Sequence, residues 1–130
     1  DYYFADQENF LTWMDERDLR AGCEKLLETH PEKTLVITKG KKGSLIATTA
    51  GVNEIPAFEV PVVDTIGAGD AYHGAFLYAC LILGWELEAA GLFASASSAL
   101  SCTRAGARDG LPDMAQVVGL LKENGIELPK

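Results

Sequence analysis

"DTIGAGDAYHG", residues 64–74, decides how the rest of the chain is read. Gly67, Ala68 and Gly69 lead into an apolar run that reads as a helix from about Ala68 to Leu83, stopped at Gly84. Small residues ahead of a helix let successive backbone N–H groups converge, and the helix dipole adds roughly half a positive charge at that end. The stretch therefore reads as a pocket for an anion. Asp70, itself an anion, stands at the mouth of that pocket. Two readings account for it. Asp70 caps the helix, with Gly67 to Gly69 an ordinary turn. Or it is a general base, taking the proton of a hydroxyl that attacks a phosphorus held by the amides. Spacing alone leaves both open.

Two other phosphate-binding patterns fit less well. In G-x-G-x-x-G the third glycine would fall where Tyr72 stands, and the next glycine is Gly74. "GKKGS" (40–44) lacks the G-x-x-x-x-G-K-[ST] order of a P-loop.

Working outward, the chain has 130 residues, 48% of them hydrophobic and 23% charged, enough for one globular domain with a buried core. The net charge of −8 leaves no basic surplus for a nucleic-acid backbone or an anionic membrane, so any anion site is local. Cys23, Cys80 and Cys102 have no metal-ligand spacing and read as reduced thiols, which suits a cytoplasmic protein. The longest apolar run, around Ala75 to Trp85, is too short to span a bilayer. "DYYFAD" at the start reads as the continuation of a strand, which suggests a piece of a longer chain.

The periodicities predict a short strand at Tyr2 to Ala5, a helix over Gln7 to Met14 and a second over Asp18 to Thr29. "TLVIT" (34–38), nearly all apolar and β-branched, predicts a buried strand. "KGKKG" turns the chain, and "SLIATTA" with "VNEI" predicts a hairpin broken near Gly51. The helix beginning at Ala68 is apolar on nearly every side and is expected to be buried. Small residues fill "FASASSALSC", within a helix expected from Glu86 to about Arg104. A last amphipathic helix is expected from Asp113 to Glu123. Strands alternating with helices predict an α/β layered architecture.

With these pieces in place, the sequence resembles the PfkB, or ribokinase-like, carbohydrate kinases. "DTIGAGD" (64–70) looks like the second signature of that family and continues through "AYHGAF". "VITKGKKGSLI" (36–46) is similar to its strand–turn–strand nucleotide segment, T-x-G-x-x-G, and "FASASSALSCTRAGA" (93–107) resembles its late helix and small-residue turn. The resemblance covers essentially the whole chain. It implies a three-layer α/β/α, Rossmann-like unit forming the C-terminal, nucleotide-binding and catalytic part of a larger kinase domain. The N-terminal half and its β-sheet lid, which grip the sugar in that family, would lie outside residues 1–130.

The resemblance also implies roles. Asp70 matches the catalytic base, and Gly67, Ala68 and Gly69 match the anion hole for the γ-phosphate oxygens. Thr38, Gly40 and Gly43 match the turn along the nucleotide phosphates and ribose, where Lys39, Lys41 and Lys42 add positive charge. Those lysines equally suit a solvated hairpin rim. Ser95 stands where many members carry Asn or His near the adenine, and equally reads as a small residue for close helix packing. Asp64 and Ile66 match positions that hold a monovalent cation such as K⁺ in some members, with the Gly106 carbonyl nearby. The family's N-x-x-E is altered here to Asp6, Glu8 and Asn9. His73, at i+3 from Asp70, reads as a contact to the acceptor or as a packed helix histidine.

The function implied is transfer of the ATP γ-phosphate to a hydroxyl of a sugar or sugar-like small molecule, with Mg²⁺ bridging the phosphates. The chain by itself would be inactive. A non-catalytic nucleotide-binding or regulatory module of the same fold is the alternative. Family dimers often pair through the lid, so a homodimer is compatible with the resemblance, and neither a nucleic acid nor a membrane is implied as partner.

Overall fold

Phe10, at the centre of the first helix, is fully buried, and the sheet beneath it explains why. The computed structural model describes residues 2–65, 67–103 and 113–129. The chain divides into two compact units, Asp1–Ile55 and Pro56–Lys130.

In the first unit, strand β1 (Tyr2–Asp6) is followed by helices α1 (Gln7–Met14) and α2 (Leu19–Thr29), then by β2 (Thr34–Thr38), β3 (Ser44–Thr48) and β4 (Gly51–Ile55). The sheet order is β1-β2-β3-β4. The β1–β2 pair is parallel because two helices separate the strands, whereas short turns make β2–β3 and β3–β4 antiparallel. In register, Ala5 lies beside Ile37 and Ile37 beside Leu45, so one sheet face is an apolar row. Phe10, Met14, Leu19, Cys23, Leu26 and Leu27 of α1 and α2 pack on that row. Val36 and Ile46, which alternate to the other face, are also fully buried, as the unbroken apolar run of β2 predicts. The two helices approach closely: a Cβ on Gly22 would stand 3.0 Å from the Phe10 ring.

Both helices are capped by aspartates. Asp6 accepts the Asn9 N–H at 2.9 Å and its side-chain amide at 2.6 Å, and Asp18 accepts the Ala21 N–H at 3.1 Å. The backbone hydrogen bond from Asn9, with its side-chain partner, holds the Asp6 carboxyl below the usual carboxylate range. The altered N-x-x-E segment is thus a helix cap in this structure.

The second unit contains helices α3 (Ala68–Leu77), α4 (Leu87–Ser101) and α5 (Met114–Glu123), and no strand among the described residues. Helices α3 and α4 pack against each other, which the small buried residues Ala90, Gly91, Ala94 and Ala96 of α4 permit. A capping box starts α5: Asp113 accepts the Gln116 N–H while the Gln116 side chain accepts the Asp113 N–H.

The long helix departs from expectation in two ways. It stays α-helical only to Leu77 and then widens into a π turn, Tyr78–Ile82, before Gly84 ends it at φ 69°. It is also not buried on every side, since Leu81 is 64% and Ile82 70% exposed. In the wider turn Leu83 bonds back to Tyr78 and Trp85 to Ala79. Among the described residues no helix is long and apolar enough to cross a membrane.

Candidate active site

The candidate site is built on the first turn of α3. Gly67 is its N-cap residue at φ 83°, ψ 0°, a left-handed conformation that costs an L side chain roughly 1–2 kcal/mol. That turn lets the chain arrive with the helix end open. The Ala68 N–H donates to the Thr65 carbonyl at 3.2 Å and the Ala71 N–H to the Gly67 carbonyl at 2.9 Å. Between them, the N–H groups of Gly69 and Asp70 have no acceptor inside the helix. No side chain caps this end. Helices α1, α2 and α5 begin on an aspartate that caps them, whereas α3 and α4 begin without a side-chain cap.

Asp70 is exposed, in the first turn of this open end. It does not close the helix as Asp6, Asp18 and Asp113 close theirs, which removes the capping reading. Asp70 lines a cleft of about 380 Å³ together with Gly74, Tyr78, Phe93, Ser97 and Met114. A Cβ added at Gly69 or at Gly74 would meet nothing within 4 Å, so neither glycine is required by packing among the described residues. The arrangement offers main-chain donors for an anion, a carboxylate at their edge and open space above both.

Helix α4 anchors the chain that leads into the cradle. The Ser95 hydroxyl donates to the Pro56 carbonyl at 2.6 Å, and Ser98 to the Ala68 carbonyl at 3.0 Å. The Cys102 carbonyl, at the C-terminal end of α4, accepts from the N–H groups of Val63 at 2.7 Å and Asp64 at 3.1 Å. Sequence reasoning weighed Ser95 and passed over Ser98. The available signal was the i, i+3 spacing of two hydroxyls within a run read only for its small size.

The other residues singled out in the sequence fall as follows. Asp64 is partly buried on the segment held by Cys102. Ile66 and Gly106 lie outside the described residues. Ser95 is buried and its hydroxyl proton is committed to Pro56. Thr38, Lys39, Gly40 and Gly43 belong to the first unit, where a short 3-10 turn, Gly40–Lys42, joins β2 to β3. Gly40 at φ 59° and Gly43 at φ 92°, ψ −141° shape that turn, and the Lys39 N–H closes it on the Gly43 carbonyl at 2.8 Å. The Lys39 ammonium bonds Glu54 at 2.7 Å, and Arg20 approaches the same carboxylate at 3.5 Å. The Lys39 hydrogen bond and charge hold the Glu54 carboxyl below its ordinary range. Lys41 and Lys42 are exposed.

His73 is half-buried one turn beyond Asp70. Burial pushes its pKa below the usual 6.5, although the Asp70 charge pulls it upward. A histidine whose pKa is lower folded than unfolded takes up protons preferentially on unfolding. Its stabilising contribution is therefore full above pH 6.5 and is lost as the pH falls from there toward the folded value. His73→Gln is expected to flatten this limb: chemical denaturation at a series of pH values should show the difference from wild type shrinking as the pH falls below 6.5. A difference that stays constant across that window would contradict the assignment.

Comparison with known proteins matches this frame. The description "pfkB family carbohydrate kinase" matches residues 2–114. A ribokinase of Bacillus subtilis is 43% identical over 97 residues, a region that takes in 73% of this chain and 32% of the relative. The crystal structure of ribokinase from Thermotoga maritima superposes with a TM-score of 0.84 at 32% identity, over 94% of this chain and 42% of that one. A fructokinase from Vibrio cholerae, solved with fructose, ADP and calcium, superposes with a TM-score of 0.82 at 26% identity, over 93% and 41% of the two chains. The chain thus spans about a third of the length of the curated relatives it matches. The α/β fold is that of the ribokinases, and the open first turn of α3 with its carboxylate sits on the segment matched. This chain belongs to the pfkB family of carbohydrate kinases.

Proposed function

We propose that the protein carrying this chain is an ATP-dependent phosphotransferase that moves the γ-phosphate to a hydroxyl of a sugar or sugar-like molecule. The observation that carries this reading is the exposed Asp70 carboxylate beside uncapped main-chain amides, in a chain of this family. Residues 1–130 are read as the C-terminal part of the kinase domain, with the acceptor pocket and lid supplied by the rest of the protein. The relatives' lengths support that reading, since the matched region is only 30–32% of the first two of them.

In this mechanism the turn of Gly67, Ala68 and Gly69 forms the cradle for the equatorial oxygens of the transferring group. The Gly69 N–H, which has no acceptor inside the helix, is a donor where negative charge spreads as the bond to ADP loosens. The left-handed Gly67, the absence of a side-chain cap and the open space over Gly69 all suit an anion of that size. Asp70 takes the proton of the acceptor hydroxyl as its oxygen closes on phosphorus. Most of the rate enhancement comes from holding the two reactants in line. Thr38, Gly40 and Gly43, with the Lys39 backbone, are assigned to the nucleotide phosphates and ribose, and Ser95 to the adenine side through its oxygen. Asp64 and Ile66 are assigned to a monovalent cation such as K⁺. Mg²⁺ would neutralise charge on the phosphates. Among the described residues no cluster of three or more His, Cys, Asp or Glu is placed to bind a metal.

The test compares the 130-residue chain with the full-length protein, each given ATP, Mg²⁺ and a panel of sugars and nucleosides. Phosphorylation by the full-length protein alone is the expected result. Calorimetric binding of ATP without transfer to any acceptor would instead favour a nucleotide-binding module.

A further inference from the structure

The hydrogen bond that reaches the cradle itself from α4 falls on one peptide group. Ser98 Oγ donates to the Ala68 carbonyl oxygen at 3.0 Å. That carbonyl and the Gly69 N–H belong to the same planar unit, and in a trans peptide they point in opposite directions. No described peptide bond is cis. A hydroxyl that fixes one end therefore fixes the other. Gly69 is the second residue of α3, so its N–H faces out of the helix end toward the open space where a Cβ would meet nothing within 4 Å. A carbonyl that accepts a hydrogen bond also polarises its amide, which strengthens the opposite donor by about 10–30%. The bonds from Ser95 and to Cys102 hold the approach to the cradle, at Pro56, Val63 and Asp64, and touch none of its amides.

We propose that Ser98 is a positioning residue for phosphoryl transfer: through the Ala68–Gly69 peptide its hydroxyl aims and polarises the Gly69 amide at the transferring group. The proposal rests on reading Gly67 to Gly69 as the anion cradle. An aimed donor matters most where charge develops, so the effect belongs to the transition state rather than to the bound nucleotide. Serine is suited to this place on α4 because it is short enough for close helix contact and still carries a donor.

The test uses the full-length protein with Ser98→Ala and Ser98→Thr, and with Asp70→Asn as the marker of the underlying reading. The probes are ADP·Mg²⁺ alone and ADP·Mg²⁺ with aluminium fluoride, which imitates the phosphoryl group in flight. Ser98→Ala is expected to lower kcat about tenfold, with the KM for ATP within about twofold. It should weaken the aluminium fluoride complex by a similar factor, leave ADP binding unchanged and lower the unfolding temperature only slightly, as expected for one lost hydrogen bond. Ser98→Thr, which keeps the hydroxyl, should recover most of the loss. If Asp70→Asn abolishes turnover but Ser98→Ala keeps the full kcat, the Ser98 proposal falls and the cradle reading stands. If Asp70→Asn turns over normally, the cradle reading falls and takes this proposal with it. A kcat loss matched by an equal loss of ADP binding, or one that threonine does not relieve, marks a packing role and overturns the assignment.

Discussion

Replacing Asp70 by asparagine in the full-length protein is expected to lower kcat by roughly 10²–10⁴-fold while the affinity for ATP stays within a few-fold. The two side chains have nearly the same shape, so the change removes the proton acceptor and leaves the helix start intact. Stability should barely move, because the Asp70 carboxylate is exposed and forms no cap on α3. The three aspartates that do cap helices behave in the opposite sense. Losing a cap of the kind formed by Asp6 costs about 1 kcal/mol of stability through the first turn of its helix. Steady-state kinetics and equilibrium unfolding of the one variant therefore separate chemistry from structure. Ordinary turnover by the asparagine variant would remove Asp70 from the role of base.

Gly69→Ala is expected to make the protein more stable and much less active. Glycine inside a helix costs roughly 0.5–1 kcal/mol relative to alanine. The conformation here is helical, and an added Cβ would meet no atom within 4 Å, so the folded chain should accept the methyl group. The methyl would stand where the amides face outward, in the space assigned to phosphoryl oxygens. The N–H itself remains, but a methyl that keeps the oxygens from reaching it is expected to lower kcat about as much as losing such a donor, roughly 10²–10³-fold. Thermal unfolding and turnover measured on the same preparation would decide the matter. A stabilised variant with undiminished kcat would show that nothing approaches this face of the helix start.

Much of this was legible before any coordinates. The strand "TLVIT" and the hairpin after it are set by local pattern, and the helices at Gln7–Met14 and Asp18–Thr29 carry their stop and start residues in the sequence. The turn into the helix at Ala68 was legible too, since Gly67 and Gly69 stand ahead of an apolar run. Whether Asp70 caps that helix was not legible, because an aspartate in a first turn serves either purpose and only the placement of its neighbours decides. Ser98 was hidden for a related reason. A serine in a small-residue helix can be filler or an anchor, and the difference lies in a carbonyl 30 residues away in the chain. The wider turn at Tyr78–Ile82 was invisible because apolar periodicity assumes a constant pitch.

That wider turn has a bearing on how the chain tolerates change in length. A turn closed by a bond five residues back contains one residue more than the regular ladder needs. Elsewhere in the helix, deleting a residue would shift every later side chain around the axis by roughly 100°. Between Tyr78 and Ile82 the same deletion would return the ladder to its usual spacing and change the direction in which Leu81 and Ile82 point. At this point the polypeptide's residue count, more than the identity of any one side chain, determines which surface greasy groups present to the surroundings.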